Sequence, residues 1–292
     1  MITINNLTKT FNNNDVVKDL NFNIEQGQCT ALIGKNGAGK STLIDLLIGN
    51  IKTSKGDITD YENLLISANR GVMYQYSSFP KSVKVKELFH LYQSFYNETM
   101  TYNKFVELTK FDDQILNQYA INLSGGQQRI LDFVLTLVGL PQLLILDEPT
   151  SGMDIESREH FWSIIKRLKQ QNKTIFYTSH YIEEVERMAD KVIFLDHGHI
   201  HFYDSPQTIK EHHQSLIKIP SSYNLKLNHS DLYQLTRDNT NRLIITTSHV
   251  DKVLSILKSA QVNLNDIEIT KTSLLEALFH ENNNDVSDQS CY

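Results

Sequence analysis

The chain has 292 residues, 40% of them hydrophobic, with 28 basic against 34 acidic side chains and a formal net charge of −6. That length holds one large domain, or one with a small companion, around an ordinary apolar core. The acidic balance gives nucleic-acid binding no electrostatic support, and the two cysteines, Cys29 and Cys291, stand in no metal-ligand spacing and read as reduced thiols of a cytosolic protein.

In chain order, residues 2–7 alternate like a strand, with Ile2 and Ile4 on one face, rather than like a secretory signal. Residues 20–24 form its antiparallel partner through the polar turn Asn12-Asn13-Asn14-Asp15. Residues 29–33 are a short apolar run, readable as a buried strand. A helix follows from Thr42, with Leu43, Ile44, Leu46, Leu47 and Ile48 apolar and Gly49 near its end. Short strands are expected at 56–59 and 71–74. From about 82 to 123 the spacing turns helical: Val83, Val85, Leu88, Leu91 and Phe95 first, then Phe105, Leu108 and Phe111. The apolar stretch 130–146 is interrupted by Asp132, Pro141 and Gln142, so it reads as helix, turn and strand rather than a membrane span. Strand 143–146, helix 155–171, strand 174–178 and helix 182–189 follow. A hairpin through His197-Gly198 joins 191–195 to 199–203. Pro206 opens one more helix, and the main domain is expected to end near residue 213. The remainder, 214–280, reads as a small βαβ-like unit: strand 243–247, a helix with Val250, Val253, Leu254 and Leu257 on one face, and a short strand at Ile267 and Ile269. Ser273 and Glu276 form a capping box, and residues 281–292 are polar and expected to be disordered.

The stretch between the strand at 29–33 and its helix carries chemistry. Gly34, four residues, Gly39, Lys40 and Ser41 fit the phosphate-loop pattern in its required strand–loop–helix context. Glycines let backbone N–H groups turn inward around phosphate oxygens, and the helix N-terminus adds partial positive charge. Lys40 is suited to the β- and γ-phosphates of a triphosphate, and the Ser41 hydroxyl to its Mg²⁺.

Further runs narrow the reading. These are Leu123-Ser124-Gly125-Gly126-Gln127, then Asp147-Glu148-Pro149-Thr150 after an apolar strand, then Ser151-Gly152-Met153-Asp154, and Thr178-Ser179-His180. With Gln75, in this order, they strongly resemble the ATP-binding cassette (ABC) ATPases over about residues 1–210. The resemblance implies an α/β P-loop NTPase fold: a RecA-like core, an N-terminal antiparallel β subdomain and a helical insertion over about 82–135. Residues 1–213 would be that cassette, followed by the small C-terminal α+β unit.

It also implies roles. Gly34, Asn36, Gly37, Ala38, Gly39, Lys40, Ser41 and Thr42 would hold the ATP phosphates, and Phe11 would stack on adenine. Asp147, with Ser41 and Gln75, would serve Mg²⁺. Glu148 would be the general base, His180 would bond the γ-phosphate and orient Glu148, and Gln75 would touch Mg²⁺ or the attacking water and report to a partner. Ser124, Gly125, Gly126, Gln127 and Asp154 would meet the ATP of a second subunit, so two copies would sandwich two ATPs head to tail. No catalytic position is degenerate, which suits a homodimer. One departure is visible: after Arg129 stands Ile130-Leu131-Asp132-Phe133 where many members carry small and basic residues.

The function expected is that of the ATP-hydrolysing subunit of a membrane transporter, peripheral on the cytoplasmic face of a bacterial membrane and docked on a separate transmembrane permease. The C-terminal unit, ending near Leu274, Leu275, Ala277 and Phe279, is similar to those of ATPases that export drugs or amphipathic and antimicrobial peptides. The alternative is a soluble ABC ATPase, for example of the iron–sulfur assembly type. Nucleic acid is not an expected partner.

Overall fold

Four runs of mostly apolar residues make the strands that support the first unit: β3 (Cys29–Ile33), β6 (Leu143–Leu146), β7 (Thr174–Thr178) and β8 (Lys191–Asp196). Every residue in them except Lys191 is buried. Strands covered on both faces lose polar alternation, as parallel sheets require, and each buried Leu, Ile or Phe contributes about 1.5–3 kcal/mol. In the computed structural model, which describes residues 1–212, 215–223, 233–237, 242–247 and 249–271, β5 (Arg70–Met73) and β9 (His199–Asp204) complete a six-stranded sheet. Its order is β5-β6-β7-β3-β8-β9, parallel throughout except for the β8–β9 hairpin. The carboxyl ends of β5, β6, β7 and β3 therefore open on one edge, the usual ligand edge of an open α/β sheet.

A second, antiparallel sheet holds β1 (Ile2–Phe11), β2 (Asn14–Ile24) and β4 (Lys55–Asp60) in the order β2-β1-β4. Its first two strands run well beyond the 2–7 and 20–24 expected from alternation. Register shifts between Ile4 and Leu7 and again before Lys9 break the period of two. Asn6 and Asp19 sit there at φ of 46° and 51°, and the Asn6 amide donates to Asp19 Oδ1 at 2.8 Å. The turn is the two-residue Asn12-Asn13, at φ of 46° and 64°, a geometry asparagine tolerates and hairpins prefer.

Helix α1 (Lys40–Leu47) follows β3. The insertion contains α2 (Val85–Gln93), α3 (Tyr102–Thr109), α4 (Asp113–Leu116) and α5 (Gly125–Thr136). Val85, Leu88, Phe105, Leu108 and Phe111 are buried as expected, but Leu91 and Phe95 are 47% and 68% exposed. Phe89 fills the core instead, its ring centroid 4.7 Å from that of Phe105. Helices α6 (Ile155–Gln170) and α7 (Ile182–Met188) complete the unit. The apolar stretch 130–146 thus divides between α5, a turn and β6. No helix among the described residues is long and apolar enough to cross a membrane.

The chain divides into two compact units, Met1–Asp204 and Ser205–Tyr292. The division falls before α8 (Pro206–His212), whereas the sequence placed it just after that helix. In the second unit β10 (Ser215–Pro220), β11 (Gln234–Arg237), β12 (Arg242–Thr247) and β13 (Glu268–Lys271) form an antiparallel sheet in the order β11-β12-β10-β13. Helix α9 (Val250–Ser259) buries Val253 and Leu257 in a core with Ile217, Ile219 and Ile245. The expected strand–helix–strand is β12-α9-β13, but β10 separates the two strands, and β10 and β11 were missed. The Ser273–Glu276 capping box and the tail at 281–292 lie outside the described residues.

Candidate functional site

The phosphate-pattern loop is wedged tightly between other elements. A Cβ on Gly34 would lie 2.2 Å from the Leu195 carbonyl oxygen, and one on Gly39, at φ 107°, 2.9 Å from that of Val16. Only glycine fits either place. The Gly198 N–H, in the β8–β9 turn, donates to the buried Ala38 carbonyl at 3.1 Å. The loop is thus braced by β2 on one side and a distant hairpin on the other, a brace with no local signature beyond the His197-Gly198 turn. Gly39 is the N-cap of α1 and supplies no side-chain cap, so the helix offers its first N–H groups to a ligand. Lys40 is buried, its Nζ donating to the Gly34 carbonyl at 2.7 Å and to the Lys35 carbonyl at 3.3 Å. Around it opens a cleft of about 240 Å³, lined by Val16, Asn36, Gly37, Gly39, Lys40, Ser41, Thr42, Gln75, Asp147 and Glu148.

Gln75 follows β5, Asp147 and Glu148 follow β6, and His180 follows β7, so adjacent strand ends bring them together. Asp147 Oδ2 lies 3.3 Å from Ser41 Oγ, which donates to it. Thr178, the last residue of β7, holds the Asp147 carboxylate and the Glu148 backbone. Its hydroxyl donates to Asp147 Oδ1 at 2.6 Å and accepts from the Glu148 N–H at 2.7 Å. Sequence reasoning passed over Thr178 as part of a run; its signal was a polar, β-branched residue closing an otherwise apolar strand. His180 Nδ1 bonds Glu148 Oε2 at 2.5 Å. A carboxylate only accepts, so Nδ1 carries the proton.

The Ser41 hydroxyl, the Asp147 carboxylate and the Gln75 amide offer oxygen donors on one cleft. That set suits Mg²⁺, which prefers oxygen, retains water and shares phosphate oxygens rather than sitting in an all-protein cage. Among the described residues no cluster of three or more His, Cys, Asp or Glu forms such a cage.

The signature residues gather elsewhere. Ser124 caps α5: its Oγ accepts from Gln127 N at 3.3 Å, and the Gln127 side chain accepts from Ser124 N at 3.0 Å. Gly125 and Gly126 open that helix. Asp154 caps α6, accepting from the Ser157 N–H at 2.8 Å and its hydroxyl at 3.0 Å. These bonds, the backbone one foremost, hold the Asp154 carboxyl below its ordinary pKa. Ser124, Gln127 and Asp154 line a hollow of about 600 Å³ that shares no lining residue with the cleft. Phe11 joins neither. It ends β1 with 42% exposure, and Lys9 Nζ lies 4.8 Å from its ring centroid.

A family model described as ABC transporter matches residues 17–151. The Nod factor export ATP-binding protein I of Rhizobium johnstonii is 33% identical over 209 residues, covering 68% of this chain and 67% of that protein. Its counterpart in Rhizobium sp. strain N33 is 32% identical over 222 residues, 73% of each chain. The alignments thus span about two thirds to three quarters of these relatives. A bacterial ABC transporter cassette solved as a dimer superimposes with a TM-score of 0.62 at 22% identity, over 70% of this chain and 98% of that one, which is a likeness of fold. The strand-end constellation and these alignments agree: the chain belongs to the ABC transporter family of ATP-binding, Mg²⁺-dependent ATPases.

Proposed function

We propose that this chain powers a separate membrane-spanning exporter and works as a pair of identical copies. The observation that carries the reading is the separation of two complementary half-sites within one chain, the cleft and the signature hollow. A nucleotide held in the cleft of one copy would be closed by Ser124, Gly125, Gly126, Gln127 and Asp154 of the other. In the cleft, Lys40 would exchange its two carbonyl partners for phosphate oxygens, since an ammonium is drawn more strongly to an anionic oxygen of opposite full charge than to the dipole of a neutral carbonyl. Glu148, oriented by His180 through Oε2, would take a proton from water on Oε1; His180 would also bond the γ-phosphate, and Gln75 would touch Mg²⁺ or the attacking water and report to the partner. Phe11 would take adenine on its exposed face. Closing the pair would move a permease docked on the cytoplasmic face of the membrane. The names of the relatives support export as the direction; for cargo we propose drugs or amphipathic and antimicrobial peptides.

The test is Glu148→Gln. The amide keeps the size and loses the base, so hydrolysis should slow about 10²–10⁴-fold while ATP still binds. Unhydrolysed ATP should then hold two copies together, and light scattering should report an ATP-dependent dimer that Ser124→Arg abolishes. Wild-type turnover in Glu148→Gln sinks the base assignment. A dimer that survives Ser124→Arg sinks the cross-subunit reading, and co-purification of the chain with no membrane protein sinks the coupling to transport.

A further inference from the structure

Arg129 stands on α5 just past the signature and is only 6% exposed. Burying a guanidinium is costly unless its N–H groups find acceptors, and here they do so on two other elements. Nε and Nη2 donate to the Pro149 carbonyl at 3.2 and 3.0 Å, and Nη2 also to the Glu148 carbonyl at 3.1 Å. Nη1 donates to the Tyr74 carbonyl at 2.9 Å and to Ser77 Oγ at 3.1 Å. Ser77 in turn donates to Asp132 Oδ2 at 2.6 Å, and that carboxylate lies 3.7 Å from Nη1. The aspartate that departs from the family pattern is therefore the counter-charge of this arginine.

What the guanidinium grips is an unfavourable piece of backbone. Glu148 has φ 46°, the left-handed region that long side chains avoid. It also precedes Pro149, and a residue before proline is biased towards extended conformations. Such a residue persists only when its surroundings over-determine it. Its N–H is held by Thr178 from β7; its carbonyl and the next are held by Arg129 from α5.

We propose that Arg129 is a positioning residue for hydrolysis, its fork holding the Glu148-Pro149 turn in the left-handed conformation that sets the Glu148 carboxylate on the cleft. The proposal rests on reading Glu148 as the base. Arg129 lines no part of the cleft, so it acts through the backbone it holds, and the effect proposed here is the one on Glu148. Lysine keeps the charge but cannot span three carbonyls and Ser77 with a fixed planar fork.

The experiment is single-turnover hydrolysis of radiolabelled ATP by the full chain, with ATP affinity measured in parallel by a fluorescent analogue. Arg129→Lys should slow turnover about 10- to 100-fold, as misplacing a catalytic group does, and leave affinity unchanged. In a Glu148→Gln background the same substitution should cost nothing further, because the group it positions is already gone. A loss of equal size in both backgrounds, or a matched loss of affinity, assigns Arg129 a merely structural role and overturns the proposal. Wild-type turnover in Glu148→Gln alone overturns the base reading, and the proposal with it. Should Arg129→Lys not fold, Ser77→Ala removes only the hydroxyl that anchors Nη1. It should give a smaller loss with the same dependence on Glu148, and an undiminished loss in the Glu148→Gln background overturns the proposal as before.

Discussion

Two helix N-termini in this chain face opposite requirements. At α1 the cap is Gly39, which offers no side chain, and Lys40 follows immediately. At α5 the cap is Ser124, locked reciprocally with Gln127, and no basic residue lies in the first turn. An uncapped helix start leaves N–H groups for an anion to satisfy. At α5 the capping box has already taken up the Ser124 and Gln127 N–H groups, on an exposed serine. The first arrangement suits a primary phosphate site, and the second, on the reading proposed above, suits a surface that closes on one. The foundations differ as well. The first stands on fully buried strands, with Asp147 and Glu148 both less than a tenth exposed, while Ser124 and Asp154 lie on the surface.

The comparison is sharpened most by Lys40→Ala. Removing the ammonium should weaken ATP binding about 10- to 100-fold, the worth of a hydrogen bond to a charged group. Equilibrium binding to a fluorescent ATP analogue checks this, with circular dichroism confirming the fold. An unchanged dissociation constant would mean that the glycine loop and the α1 N-terminus carry the phosphates unaided.

The next effect is smaller and falls on the other half. Ser124→Ala removes the cap of α5 and should cost about 1 kcal/mol of stability, seen as a lower denaturant midpoint. The affinity of a single chain for ATP should be untouched, because Ser124 lines no part of its own cleft. Loss of single-chain affinity would break the division into two half-sites.

This contrast explains how much of the molecule the sequence disclosed. The strands at 29–33, 143–146 and 174–178 were readable because burial on both faces writes an uninterrupted apolar run. The phosphate loop was readable because its glycines are forced by the close approach of Val16 and Leu195. The signature was readable only as a resemblance; its capping box is a local device that many helices share. What stayed hidden depends on long-range partners. Thr178 matters because pairing sets Leu146 opposite Tyr177, which brings its hydroxyl beside Asp147. Arg129 matters because its acceptors lie 19 or more residues away in sequence. In β1 and β2 the bulges at Asn6 and Asp19 disrupted the alternation on which strand recognition rests. In the second unit, β11 is four residues long, too short for a period to register.

The smallest effect separates the two halves by pH. Asp154 owes its lowered pKa first to the Ser157 N–H and then to the Ser157 hydroxyl, both of which favour the charged form. A carboxylate whose folded pKa is depressed stabilises the fold at every pH above its ordinary value. That contribution fades as the pH falls through the folded value and vanishes below it. In Asp154→Asn the amide oxygen still accepts from Ser157 but without charge, so the bond is weaker. The variant should therefore melt slightly below the wild type at neutral pH, and the gap should close as the pH falls below about 4. Thermal melts of both proteins across that range, read as a difference, cancel the titration of every other carboxylate. A gap that persists into strong acid would show that Asp154 holds the start of α6 by shape rather than charge. In that case the hollow would owe nothing to electrostatics, and its contrast with the Lys40 cleft would be complete.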